Sequence, residues 1–281
     1  MSTKERVDVL AVSQGLFASR EQAKRAIMAG EIYTQDMERL DKAGVKIPAD
    51  TELVHKGHKL PYVSRGGLKL AKAKDVFHLD FQDATVLDIG ASTGGFTDVA
   101  LQNGAKLVYA LDVGYNQLAY KLREDPRVDV MERVNFRYSV PGDFTHGQPD
   151  IAVTDVSFIS LRLILPPLQP ILKPHGQAVV LVKPQFEAGR EHVGKGGIVR
   201  DPAVHRQVLQ TITQSAAADG YRLTGLDFSP ITGGSGNIEF LLALQNEGTP
   251  QPLLPQETID EVVARAWATL KHSGGGHHGH D

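Results

Sequence analysis

Four charged residues are spaced so that a strand–helix alternation would bring them to one edge of a sheet. Asp155 closes the run Asp150-Ile151-Ala152-Val153-Thr154-Asp155. Lys183 closes Ala178-Val179-Val180-Leu181-Val182-Lys183. Glu239 opens the last apolar run, in Asn237-Ile238-Glu239-Phe240, and Lys69 lies ahead of the first. A charge at the end of an apolar strand is costly to bury unless it is paired. Two lysines and two carboxylates at matching topological positions can pair with one another. Such a group also suits proton handling. A lysine whose proton affinity is lowered by burial or by a neighbouring cation can take a proton from a weak acid, while carboxylates orient it and balance charge.

A second set lies between an apolar strand and a helix, in Asp88-Ile89-Gly90-Ala91-Ser92-Thr93-Gly94-Gly95-Phe96-Thr97. Ligands bind open α/β sheets at the carboxyl ends of strands, and glycines there let backbone approach a ligand closely. Asp112 ends the next strand, about 20 residues on, where an acid accepts hydrogen bonds from ribose hydroxyls. A dinucleotide-binding loop would read Gly-x-Gly-x-x-Gly, but Ser92 stands at the second glycine. An acid at the loop entry, Asp88, serves a pyrophosphate poorly. It suits a ligand carrying an ammonium and a sulfonium. The spacing resembles motif I of class I methyltransferases and implies S-adenosyl-L-methionine as cofactor, held by Asp88, Gly90, Ala91, Ser92, Thr93, Gly94, Gly95, Phe96, Thr97, Asp112 and Asp155.

The elements that must position these residues follow from periodicity. Strands are expected at 85–90, 107–112, 128–133, 150–155, 178–183, 222–228 and 238–245, with helices at 96–102, 117–123, 161–172 and 203–218. Buried strands alternating with helices predict an α/β fold with a mainly parallel seven-stranded sheet, Rossmann-like. The last two strands have no helix between them and predict an antiparallel hairpin at one edge. Residues 1–60 form a small α+β unit. Ser19 is its expected helix N-cap, in a capping box with Gln22, and short strands are expected at 31–33 and 52–54. Residues 61–82 read as a basic linker and helix, 83–245 as the main domain, and 246–281 as a proline-containing linker, an amphipathic helix at 257–270 and a His/Gly-rich tail.

Charge is local rather than global. The chain of 281 residues carries a net charge of −3, yet residues 55–74 hold Lys56, Lys59, Arg65, Lys69, Lys72 and Lys74 with no acid among them. Cations in such a strip release counterions when they meet phosphates. Arg20, Lys24 and Arg25 crowd one helix of the N-terminal unit, and Arg6 precedes it. With no cysteine, disulfides and thiolate metal sites are excluded. A polar N-terminus and the absence of an apolar run long enough to span a bilayer lead to the expectation of a cytoplasmic protein that makes no membrane contact.

Three further patterns complete the reading. Ser19-Arg20-x-x-Ala23-x-x-x-Ile27-x-x-Gly30 resembles an S4 RNA-binding domain. The Lys69, Asp155, Lys183, Glu239 set resembles that of FtsJ-type ribose 2′-O-methyltransferases. Ser64-Arg65-Gly66-Gly67-Leu68-Lys69, the Asp88–Thr97 loop, Thr154-Asp155-Val156-Ser157-Phe158-Ile159-Ser160 and Val182-Lys183-Pro184-Gln185-Phe186-Glu187 together resemble the TlyA family, often labelled haemolysin A. The resemblance covers residues 4–245. It implies methylation of cytidine riboses in ribosomal RNA or ribosomal subunits, with Lys183 as the base, Lys69 beside it, Asp155 and Glu239 orienting them, and no metal. It also implies RNA contacts by Arg6, Arg20, Lys24, Arg25, Lys56, Lys59 and Arg65. Competing expectations are an RNA-binding or ribosome-assembly factor without turnover, a small-molecule methyltransferase, and a membrane-lytic protein.

Overall fold

The computed structural model describes residues 3–35, 38–55 and 61–272. Lys56, Lys59 and the histidine-rich tail lie outside the described residues. The chain divides into two compact units, residues 1–61 and 62–281.

In the first unit, strand β1 (Lys4–Arg6) leads into helix α1 (Val7–Ser13), followed by α2 (Arg20–Met28) and strands β2 (Ile32–Thr34), β3 (Arg39–Leu40), β4 (Lys46–Pro48) and β5 (Leu53–His55). β2 pairs antiparallel with β3 and β5, and β1 with β4. Val7, Leu10, Ala23, Ile27, Ile32 and Leu53 pack into its core. The expected capping box is half realised. The Ser19 side chain accepts from the Gln22 amide, but the Gln22 carboxamide reaches the Ala18 amide instead of that of Ser19. Both expected strands start one residue later, at Ile32 and Leu53, because those side chains alternate into the core.

The second unit opens with α3 (Gly67–Phe77), then β6 (Thr85–Ile89), α4 (Gly95–Gln102), β7 (Leu107–Asp112), α5 (Tyr120–Arg123), β8 (Val128–Glu132), β9 (Ile151–Thr154) and α6 (Leu165–Ile171). It continues with β10 (Gln177–Val182), α7 (Pro184–Glu187), α8 (Pro202–Ala218), β11 (Tyr221–Phe228), β12 (Phe240–Asn246) and α9 (Gln256–His272). Its seven strands run in the order β11-β12-β10-β9-β6-β7-β8, and β12 is antiparallel to both β10 and β11. The parallel β6 lies inside the sheet, between β9 and β7. Side chains alternate across the sheet: Leu87 and Ile89 enter the core on one face, Val86 the core on the other. Both faces are covered, which is why these strands are apolar throughout.

Three expected elements differ from those observed. Only residues 120–123 of the 117–123 segment are helical, since Asn116 adopts a left-handed φ of 56°. The 161–172 segment breaks into a 3₁₀ turn over Leu161–Leu163 and then α6, whose first turn holds Pro166 and Pro167, where no intrahelical N–H is needed. The last helix, set outside the main domain by sequence, packs Ile259, Val262, Val263 and Ala266 into the core of that unit. It is fastened further by a hydrogen bond from the Trp267 indole N–H to His205 Nδ1 at 2.9 Å. Among the described residues no helix is long and apolar enough to cross a membrane.

Candidate active site

β6, β9 and β10 are adjacent and parallel, so the residues following them emerge side by side at one sheet edge. Asp155 follows β9 and Lys183 follows β10. Glu239 immediately precedes β12, one residue ahead of the strand it was expected to open. Its carbonyl still accepts from the Ser229 amide at 2.8 Å. Because β12 runs antiparallel, its start falls at the same edge as the ends of its neighbours. Lys69 reaches that edge from the first turn of α3.

The four side chains form an unbroken chain of charge. Lys69 Nζ lies 2.6 Å from Glu239 Oε2 and 3.4 Å from Asp155 Oδ2. Lys183 Nζ lies 2.5 Å from Asp155 Oδ1. The Lys183 ammonium also donates to Ser157 Oγ at 3.0 Å, and the Gln185 amide donates to Glu239 Oε1 at 3.3 Å. Lys69, Lys183 and Glu239 are buried, and Asp155 is partly exposed. Two cations and two carboxylates sum to zero, which is the condition for carrying four charges out of water.

A cavity of about 590 Å³ opens over this chain. It is lined by Lys69, Asp155, Lys183 and Glu239 and by Gly90, Ala91, Ser92, Thr93, Gly95 and Phe96 of the glycine loop. The loop's form demands its glycines. Gly90 has φ of 84°, and a Cβ there would stand 2.6 Å from the Asp155 carbonyl oxygen. A Cβ on Gly95 would stand 2.4 Å from Ser64 Oγ. Gly94, with φ of 100°, caps α4 outside the cavity lining.

Three residues expected to touch the cofactor stand behind the loop. Asp88 is fully buried, and its Oδ2 accepts from Thr97 Oγ1 at 2.7 Å, so both brace the loop against α4. Burial pushes the Asp88 carboxyl up to about 7, opposed by the Thr97 hydrogen bond, and its Oδ1 has no partner. Asp112 also lies outside the lining. Its carboxylate accepts from the Ser92 and Gly114 amides, each at 2.7 Å, and retains lone pairs for ribose hydroxyls. The glycine cradle at the cavity and the Asp112 carboxylate with spare acceptor capacity fit an adenosyl ligand, while Asp88 supports the loop from behind.

Phe158 in the cavity lining, and Glu187 just behind it, carry chemistry that spacing did not flag. Phe158 is 91% exposed with a left-handed φ of 63°, and its ring packs 4.9 Å from that of Phe186. Glu187 accepts from Ser160 Oγ at 2.6 Å and from the Leu161 amide at 2.8 Å, joining the segments after β9 and β10. Burial raises the Glu187 carboxyl above its ordinary range. The only available signal was a strand-end motif richer in polar and aromatic residues than a turn requires. Of the expected RNA contacts, Arg65 donates to the Thr232 carbonyl at 2.6 Å. Arg6 and Arg20 both bind the buried Asp8, each at 2.9 Å, and hold its carboxyl down at about 2. Lys24 and Arg25 remain on the outer side of α2, half-buried and exposed respectively.

A parallel sheet with a reversed seventh strand, a glycine cradle after β6 and an acid at the end of β7 define a Rossmann-like S-adenosylmethionine-dependent methyltransferase. The particular family follows from residues 62–246, which match the model for FtsJ-like methyltransferase, and the chain belongs to that family. It is 61% identical over 272 residues to YqxC of Bacillus subtilis, covering 96% of each chain. It is 39% identical over 266 residues to 16S/23S rRNA (cytidine-2′-O)-methyltransferase TlyA of Mycobacterium tuberculosis, covering 95% of this chain and 98% of that one. A solved structure of a Streptococcus thermophilus protein named as a hemolysin shares 59% identity, with a TM-score of 0.79 over 98% of this chain and 99% of that one.

Proposed function

We propose that the protein transfers a methyl group from S-adenosylmethionine to the 2′-hydroxyl of a cytidine ribose in ribosomal RNA. The observation that carries the proposal is the Glu239–Lys69–Asp155–Lys183 chain on the wall facing the glycine loop. A ribose hydroxyl is a very weak acid, so its proton must leave as its oxygen attacks. Lys183, once its ammonium has released a proton to solvent, takes the hydroxyl proton and returns to the ammonium paired with Asp155. Lys69 stays charged between two carboxylates and stabilises the oxygen as negative charge develops on it. A new O–CH₃ bond forms, the sulfur–methyl bond breaks, and the proton ends on Lys183. The sulfonium of the cofactor supplies a methyl already activated for transfer. Asp155 and Glu239 hold the lysines in place. Phe158 offers an open ring face at the cavity mouth on which the nucleobase stacks. The N-terminal unit, with its S4-like helix carrying Lys24 and Arg25, brings the RNA.

The relatives named as cytidine-2′-O-methyltransferases support this choice of substrate. The test is transfer of tritiated methyl to ribosomal RNA, followed by nucleoside mass spectrometry. The expected product is 2′-O-methylcytidine. Lys183→Ala should lower turnover by about 10²- to 10⁴-fold, the usual worth of a positioned base, with cofactor affinity by calorimetry unchanged within about threefold. Full turnover in Lys183→Ala would remove Lys183 as base.

A further inference from the structure

Beyond the cavity, the carboxyl ends of β7 and of the edge strand β8 beside it carry an unusual surface. Tyr115, in the loop after β7, is 63% exposed, and Tyr138, in the 3₁₀ turn following β8, is 73% exposed. Each ring is covered by an arginine. The Arg133 guanidinium lies 4.3 Å from the Tyr115 ring centre, and that of Arg137 lies 5.4 Å from the Tyr138 ring centre. Each exposed phenol beside a guanidinium offers a ring face and a positive charge together, a pairing that suits a partner carrying both bases and phosphates.

The charge pattern narrows that partner. Between residues 121 and 137 there are five cations. Lys121 pairs with Asp98, Arg123 with Glu132 and Arg127 with Asp125. Arg133 and Arg137, the two on tyrosine faces, have no ion pair with a carboxylate among the described residues. The other three cations are spent on Asp98, Glu132 and Asp125, and Asp129 faces His146. Two guanidiniums are left available to phosphates, each stacked on a ring, with flat faces available to bases.

The surface is held in shape before any partner arrives. The Arg133 amide donates to the Gly114 carbonyl and the Val134 amide to that of Asp112, both at 3.0 Å. The Asn116 amide donates to Glu132 Oε1 at 2.8 Å. Arg133 and Asn116 both take left-handed φ, 58° and 56°, a strained conformation for residues other than glycine. The Asn135 side chain accepts from the Arg137 amide and fixes the turn that presents Tyr138. These residues follow β7 and β8, so they lie on the same sheet edge as the glycine loop, which is tied to the post-β7 loop by Asp112 and Ser92.

We infer that the Tyr115–Arg133 and Arg137–Tyr138 pairs form a second RNA-contact surface, on the catalytic unit itself, that takes unpaired nucleotides flanking the methylated one. It rests on the RNA substrate proposed above. Bases stack on the tyrosine and guanidinium planes while the arginines neutralise adjacent phosphates. Double-stranded RNA, whose bases are already stacked, gains only the phosphate term.

The test uses the full chain with a fluorescently labelled single-stranded RNA and the same sequence as a duplex, read by anisotropy over a salt series. Tyr138→Ala should weaken single-strand binding by about fivefold or more, the low end of one base stack, and duplex binding much less. The Arg133→Ala, Arg137→Ala double variant should lower the slope of log affinity against log salt by about 1.4, at about 0.7 per phosphate contact on single strands. Cofactor affinity by calorimetry, as a control for folding, should be unchanged. Single-strand binding equal to the parent in all variants overturns the inference, as does an equal loss on duplex and single strand. Unchanged binding to bare RNA with lost methylation of intact ribosomal subunits also overturns it, in favour of a ribosomal protein. Methyl transfer by the parent is measured separately. A parent that binds RNA through these residues but methylates none of it would defeat the proposed activity and leave this surface standing.

Discussion

Replacing Lys69 should cost the fold far more than replacing Lys183, although both line the same cavity. Among the described residues Lys69 is the sole cation paired with Glu239, whose side chain is only 3% exposed. In Lys69→Met that carboxylate keeps a single hydrogen bond, from Gln185. An uncompensated buried charge of this kind costs about 3–5 kcal/mol. Lys183→Met removes the 2.5 Å contact to Asp155, but Asp155 retains Lys69 at 3.4 Å and is 22% exposed. Partial solvation holds that loss to about 1 kcal/mol. For a unit of this size each kcal/mol moves Tm by about 2–4 °C. Scanning calorimetry should therefore show Lys69→Met melting about 6–20 °C below the parent, against about 2–4 °C for Lys183→Met. Adding Glu239→Gln to Lys69→Met should recover about half of the loss, because the orphaned charge is gone. Both single variants should be inactive in methyl transfer. Equal destabilisation by the two, or no recovery in the double variant, would refute the reading of the site as one charge-balanced chain.

Gly90→Ala should weaken cofactor binding at least tenfold by calorimetry, since its Cβ meets the Asp155 carbonyl at 2.6 Å on a backbone with φ of 84°. Asp88 has its folded value raised to about 7 by burial. Between about pH 4 and 7 the folded state therefore binds more protons than the unfolded state, and stability falls as pH rises. Asp88→Asn should thus stabilise the cofactor-free protein, by about 2 kcal/mol more at pH 8 than at pH 5 in denaturant titrations. His205 behaves in the opposite sense, because burial lowers its ring to about 4. Here the unfolded state binds more protons between pH 4 and 6.5, and stability rises with pH. Against His205→Asn, which keeps an acceptor for Trp267, the parent should lose about 3 kcal/mol between pH 7 and pH 4.

The N-terminal pattern shows where linear reading stops. Arg6 and Arg20 read as free cations, yet Asp8 gathers both. Nothing in the spacing of residues 6, 8 and 20 marks that convergence, since it depends on how α1 packs against α2. Asp88 teaches the same lesson. Its place in the motif is plain from sequence, but strand alternation turns its side chain away from the cavity and toward Thr97.

The sequence by itself determined the alternation of seven apolar strands with helices, the glycine loop, and the four charges at the edge of the sheet. These are local properties: hydrophobic periodicity selects the element, and a residue's offset from the strand end decides which edge it reaches. Tertiary structure alone decided which charges pair, that Gln185 and Ser157 complete the walls with Glu187 tying the segments behind them, and that Arg133 and Arg137 lie over tyrosine faces without an ion pair among the described residues. It also decided that the final helix belongs to the core. Such outcomes depend on strand order and on the competition of each buried charge for the nearest partner, and neither is written in the spacing of residues along the chain.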